Sequence, residues 1–194
     1  MECMDWERVK AHEPTTAVDG DREAAVLVPV ITRSDGEYLL FTKRADHLGE
    51  HPGQMSFPGG GYEPEDTGLA ATAKREAFEE VGLEPENAEI VGRLDDIPTV
   101  TNYLVRPFVA EIPDREYVPD EREVAEIAVL SISALTDLGN YESERRDHPY
   151  YGDIRIHYFR VDGYTVWGAT GRMLVQFLEL ATDSTMPREP ERGV

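Results

Sequence analysis

Apolar residues fall into short, spaced runs along the chain, and the spacing within each run predicts its element. Ala24 to Thr32 is a near-continuous stretch rich in Val and Ile, as expected of a buried strand. Ser34-Asp35-Gly36 is a turn signal and Tyr38 to Thr42 the returning strand, so the two form a hairpin. A polar loop follows from Arg44 to Gln54, then a short strand at Met55-Ser56-Phe57, then Pro58 and three glycines. The clearest helix comes next, over about 67–81. Asp66 or Thr67 can cap it, Leu69, Ala73, Ala77 and Val81 step by four to make a core-facing stripe, and Gly82 stops it. Strand-like runs recur at Glu89–Leu94, Tyr103–Glu111, Glu126–Leu130 and Arg155–Val161. A short helix starts at Ser131 or Ser133 and ends by Gly139; a last one runs from about Gly171 to Ala181, with Thr170 as its cap. The pattern predicts an α+β fold, a mixed β-sheet flanked by helices. Residues 1–21 are expected to form an arm or short helix, 22–182 one domain, and 183–194 a flexible tail.

Composition narrows the function. Apolar residues make up 40% and charged residues 30%, as in a soluble globular domain. Nineteen basic residues stand against 39 acidic ones, for a formal net charge of −20, and only three of the basic residues are lysines. Such a field repels nucleic acid and anionic lipid, so neither is an expected partner. Scarce lysine with abundant Asp and Glu also fits a salt-rich cytoplasm; an ordinary acidic protein is the alternative. Cys3 is the sole cysteine, which leaves no internal disulfide and no cysteine-based zinc site. The first ten residues lack the apolar core of a signal peptide, and Ala24–Ile31 is too short to span a bilayer, so the expected compartment is the cytoplasm.

The chemistry centres on Arg75-Glu76-Ala77-Phe78-Glu79-Glu80. On a helix, positions three and four apart share a face, so Glu76 meets Glu79 and Glu80. Three carboxylates within one turn repel each other and sit in the half of the helix where the dipole favours cations. Without a ligand this would be a solvated acidic face. A hard divalent cation reverses the argument, because Mg²⁺ and Mn²⁺ take oxygen ligands. Arg75, four residues before Glu79, can hold that carboxylate in place. Upstream, Phe57-Pro58-Gly59-Gly60-Gly61 reads as a flexible stretch that lets backbone approach a ligand, a recurring way to seat phosphate; a plain tight turn is the alternative.

Together these residues resemble the Nudix hydrolase family, whose box runs Gly, five residues, Glu, seven residues, then Arg-Glu-apolar-x-Glu-Glu-x-Gly-apolar. Arg75 to Leu83 matches the second half at every fixed position. In the first half, Asp66 stands where Glu is usual and eight residues separate it from Arg75; counted strictly, the slot falls on Thr67. One extra residue with Asp there is typical of the coenzyme A diphosphatase subgroup. Leu40-Phe41-Thr42-Lys43-Arg44-Ala45 and Gly53-Gln54-Met55-Ser56-Phe57-Pro58-Gly59-Gly60 are similar to that subgroup's coenzyme A motif, as are Thr99–Val109 and Trp167-Gly168-Ala169-Thr170. Gly49 replaces a usual Arg, and Phe41 a usual Leu.

The resemblance implies an α/β/α Nudix-type sandwich and metal-dependent hydrolysis of a nucleoside diphosphate linked to another group. Glu76, Glu79 and Glu80 would hold Mg²⁺ or Mn²⁺, with Lys43, Arg44, Gln54, Gly59 and Gly60 on the substrate. Since the overall field repels a diphosphate, attraction must come from the metals and from local cations such as Lys43 and Arg44. The general base would be Glu79 or a loop carboxylate such as Glu123 or Glu126. His47 and His51, with Gly49 between them, make a poor helical metal pair and either contact substrate or face solvent. Arg106 faces ligand or solvent. Coenzyme A or acyl-coenzyme A is the expected substrate; ADP-ribose, NADH or a nucleoside triphosphate is the alternative, and a non-catalytic binding module a third. A homodimer is compatible with the sequence.

Overall fold

The computed structural model describes residues 4–17, 22–48, 52–99, 102–148 and 152–188. Its framework is an eight-stranded mixed sheet. Strand β1 (Arg22–Arg33) returns through the predicted turn as β2 (Gly36–Arg44), with Val30 opposite Leu39. On its other side β1 runs parallel to β7 (Tyr103–Glu111), from Arg22 opposite Tyr103 to Val30 opposite Glu111. Strand β5 (Glu89–Arg93) pairs with β7, as does the two-residue β6 (Ile97–Pro98). Strand β8 (Val124–Ser131) pairs with β2, and so does β3 (Met55–Ser56).

The uninterrupted apolar run of β1 follows from burial on both faces. Ala24, Val26, Val28 and Val30 point to one side of the sheet, Ala25, Leu27 and Ile31 to the other. On the second side lies α2 (Leu69–Val81), which buries Ala73, Ala77 and Val81 and packs Leu69 against the same cluster. Gly82 ends it in the left-handed region at φ 70°, a conformation that glycine reaches without a Cβ clash. The first side is covered by α1 (Trp6–Ala11), α3 (Ile132–Thr136) and α4 (Gly168–Ala181), whose Val9, Leu135, Leu174 and Phe177 are fully buried or nearly so. Burying Leu174 and Phe177 stabilises the sandwich by about 1.5–3 kcal/mol each. Helices on both faces of a mixed sheet are the expected α/β/α sandwich. No helix among the described residues is long and apolar enough to cross a membrane.

Several boundaries differ from expectation. Helix α2 is capped by Gly68, because Asp66 is committed elsewhere. Helix α4 begins at Gly168, three residues early, so Thr170 lies inside it and is buried; Trp167 takes the cap position. The three glycines form a strand, β4 (Gly59–Gly61), antiparallel to the start of β1, rather than a flexible stretch. A second sheet of β9 (Tyr141–His148), β10 (Gly152–Val161) and β11 (Tyr164–Val166) includes two strands, β9 and β11, that the pattern did not predict. The segments outside 22–182 are tied to the domain where they are described. Asp5 N–H donates to the Ala181 carbonyl, Arg8 donates to the Glu179 and Thr182 carbonyls, and Met186 is buried.

Candidate active site

Strand β4 is wedged between β1 and helix α2 so closely that two of its glycines are obligatory, Gly59 against β1 and Gly60 against α2. A Cβ on Gly59 would lie 2.4 Å from the Ala25 carbonyl oxygen, and one on Gly60 would lie 2.4 Å from Oε1 of Glu76. Gly60 lies opposite Ala25, between the Leu27–Pro58 and Tyr62–Glu23 ladder contacts. The flanking backbone groups turn to α2: Gly59 N–H donates to the Glu80 carboxylate, and the Gly61 carbonyl accepts from Arg75 at 2.9 Å.

Arg75 organises the acidic side chains. Its guanidinium donates to Asp66 at 3.0 and 3.1 Å, to Glu76 at 3.0 Å and to Glu79 at 3.2 Å. Asp66 also accepts from Thr72 Oγ1 at 2.8 Å and from Glu63 N–H at 3.0 Å. The Asp66 carboxylate, shielded by these partners, is only 5% exposed, and Arg75's hydrogen bonds hold it down at about 2. The same contacts raise the Arg75 pKa. Asp66 thus serves as an anchor for Arg75 instead of the predicted cap. Thr72 has the same part and carried no sequence signal.

Two of the three metal candidates are drawn inward. The Glu76 side chain is 13% exposed, and burial raises its pKa, with Arg75 opposing. Burial pushes Glu80 up to about 8, the charges of Glu76 and Glu123 adding to it while Gly59 N–H and Arg44 oppose. Oε2 of Glu80 is buried and has no hydrogen-bond partner. A buried carboxylate oxygen left unsatisfied costs about 1–3 kcal/mol or more, and a cation would satisfy it. Glu79 differs: it is 53% exposed and turned to Arg75. Among the described residues no three carboxylate, imidazole or thiol groups converge into a ready cage. The donor set, two buried carboxylates beside an exposed one, still fits a hard divalent cation that completes its shell with water and phosphate oxygens.

The remaining candidates divide. Glu123 sits on the turn before β8, close enough to raise the pKa values of both Glu76 and Glu80. Its carbonyl accepts from Ala45 N–H at 2.9 Å, which fixes the turn against β2. Arg44 is near Glu80, and Gln54's carbonyl accepts the Arg44 N–H at 2.9 Å. Lys43 pairs with Glu126 at 3.7 Å, and Tyr164 also donates to Glu126. His47 lies against the Arg122 carbonyl at 3.1 Å; His51 and Gly49 lie outside the described residues. Arg106 faces neither ligand nor open solvent. It grips the fully buried Asp96 carboxylate with two hydrogen bonds of 2.9 Å, a pairing across ten residues that leaves no local pattern in the sequence.

Comparison with known proteins identifies the family. The NUDIX domain family model matches residues 21–162. The chain is 41% identical over 157 residues to the uncharacterized Nudix hydrolase NudL of Enterobacter sp. (strain 638), covering 79% of each chain. The NudL of Salmonella paratyphi B is 37% identical over the same length, with the same coverage. Among solved structures, a MutT/nudix family protein from Enterococcus faecalis superposes with a TM-score of 0.54 at 15% identity, covering 88% of this chain and 64% of that one. The Nudix hydrolase RenU of M. smegmatis superposes with a TM-score of 0.51 at 20% identity, over 61% of this chain and 75% of that one. These likenesses show the fold, and the family match with its sequence relatives carries the rest: the chain belongs to the Nudix family and is a Nudix hydrolase.

Proposed function

We propose that this Nudix hydrolase cleaves the diphosphate of coenzyme A or acyl-coenzyme A, releasing 4′-phosphopantetheine and adenosine 3′,5′-bisphosphate. One observation carries the choice. The segments that resemble the coenzyme A diphosphatase subgroup, 40–45, 53–60 and the distant 167–170, are linked in a chain of contacts that ends at Glu80. A Cβ at Gly168 would be 3.5 Å from Nε2 of Gln54, Gln54 is tied to Arg44, and Arg44 acts on Glu80.

Glu76, Glu79 and Glu80 would hold Mg²⁺ or Mn²⁺, which would supply Lewis acidity at the phosphoryl oxygens and a more acidic water. Arg75, anchored by Asp66, keeps Glu76 and Glu79 oriented. Glu123, across from Glu76 and Glu80, takes the proton of the attacking water; Glu79 is the alternative base. Glu126 is committed to Lys43 and Tyr164 and drops out. The water oxygen bonds to one phosphorus, the bridging P–O bond breaks, and the leaving phosphate takes up a proton. Arg44 and the Gly59–Gly60 backbone meet the substrate's phosphates, and Gln54 holds the adjacent arm. Lys43 adds local positive charge to the rim, offsetting a repulsive overall field. The site is read as cytoplasmic and the chain as adapted to high salt.

Gly49, in place of a usual Arg, favours a second reading, hydrolysis of another nucleoside diphosphate derivative such as ADP-ribose or NADH. The two separate in one product assay with coenzyme A, ADP-ribose and NADH in parallel, in Mg²⁺ and in Mn²⁺. Release of adenosine 3′,5′-bisphosphate is expected, and an uncleaved coenzyme A sample sinks the first reading.

A further inference from the structure

Strand β4 has no side chains, and its two faces hold different chemistry. The Cβ direction of Gly60 points at the Glu76 carboxylate; that of Gly61 points the other way, at Tyr103, whose Cε1 would lie 3.9 Å off. Consecutive Cα atoms are about 3.8 Å apart, so carboxylate and ring flank the same two residues. Among the described residues β4 pairs with β1 alone, so a ligand reaching past it meets bare backbone rather than side chains.

Arg22 sits over the Tyr103 ring, its Cζ 5.5 Å from the centroid and its Nη1 3.4 Å from the hydroxyl. The two are opposed residues at the start of the parallel β1–β7 pair. Arg22 is exposed and has no carboxylate partner among the described residues, in a protein with about twice as many acidic as basic side chains. Arg75 is engaged by Asp66, Glu76 and Glu79, and Arg106 by Asp96, while Arg44 lies on the Glu80 side, away from Tyr103. A guanidinium kept free of carboxylates and steadied on an aromatic face is suited to a phosphate, which it can grip in a forked geometry.

We propose that Arg22, positioned by Tyr103 across the glycine strand from Glu76, receives the phosphomonoester on the nucleotide half of the substrate and so selects coenzyme A over its 3′-dephospho form. This rests on the coenzyme A reading. The diphosphate lies on the Glu76 side, and the ribose phosphate reaches the Tyr103 side.

The test measures KM and kcat for coenzyme A and for 3′-dephospho-coenzyme A with the native protein, Arg22→Gln, Arg22→Lys and Tyr103→Phe. Arg22→Gln is expected to raise KM for coenzyme A about tenfold more than for the dephospho compound, the loss of one charge-assisted contact, with kcat little affected. Arg22→Lys restores part of the discrimination, and Tyr103→Phe, which keeps the ring, retains most of it. Equal KM changes for both compounds, or none, overturn the assignment while coenzyme A hydrolysis stands. If the native protein cleaves neither compound, the coenzyme A reading falls first and this assignment with it.

Discussion

Gly60 and Glu76 occupy space that a single added methyl group would dispute: the carboxylate lies where a Cβ on Gly60 would be. The strand carries glycine there because the functional side chain, not the backbone turn, needs the room.

Gly60→Ala is therefore expected to evict the Glu76 carboxylate. A misplacement of about 1 Å at a reacting centre costs on the order of 100-fold, so kcat/KM should fall by about that factor while the thermal midpoint moves little. Gly59→Ala makes the opposite split. Its Cβ would strike the Ala25 carbonyl and the Val26 backbone, so stability should drop by about 1–3 kcal/mol, read by chemical denaturation. Equal effects of the two substitutions on stability would contradict the geometry.

Burial lifts Glu80 from an ordinary 4.5 to about 8, so between those values the metal-free folded protein binds more protons than the unfolded chain. Its stability should consequently fall as pH rises from about 4.5 to 8. Glu80→Gln, uncharged throughout, should lose that slope, be more stable than the native protein at pH 8 in EDTA, and be inactive. A divalent cation favours the charged form, so its affinity should rise over the same window, with proton release on binding. Calorimetry in buffers of different ionisation enthalpy measures that release.

Asp96 and Arg106 form a pair whose carboxylate has no exposure at all. Asp96→Ala strands the Arg106 guanidinium, and that of Arg93, 3.8 Å from the same carboxylate, in a half-buried site and should cost about 3–5 kcal/mol in urea denaturation. A loss below 1 kcal/mol would mean that solvent reaches the pair.

A formal charge of −20 repels itself over a screening length of about 30 Å at 0.01 M salt but only about 3 Å at 1 M. The thermal midpoint and the activity should both rise as KCl increases across that range. A midpoint that is flat with salt would mark an ordinary acidic protein.

Much of the sandwich was legible because its strands are amphipathic or fully apolar. Tyr103–Glu111 appears within its predicted bounds, and α2 carries the predicted stripe. Strand β9 escaped because Glu142, Glu144, Arg145, Arg146 and Asp147 are all exposed and hold their pairing through backbone bonds and ion pairs to β10 and along the strand, which leave no apolar period. Thr170 and Asp66 each looked like caps, yet burial took the first and Arg75 the second. Cap propensity is local, and a charged or packing partner many residues away outweighs it.

At the site, the sequence alone determined that Glu76, Glu79 and Glu80 share one helical face beside a cation, since helical pitch is a local property. Which carboxylates turn inward was decided by tertiary contact. Arg75 draws Glu79 outward, strand β4 confines Glu76, and the turn bearing Glu123 crowds Glu80. Desolvation and charge proximity depend on what the rest of the chain packs against the helix, and a residue pattern carries no measure of either.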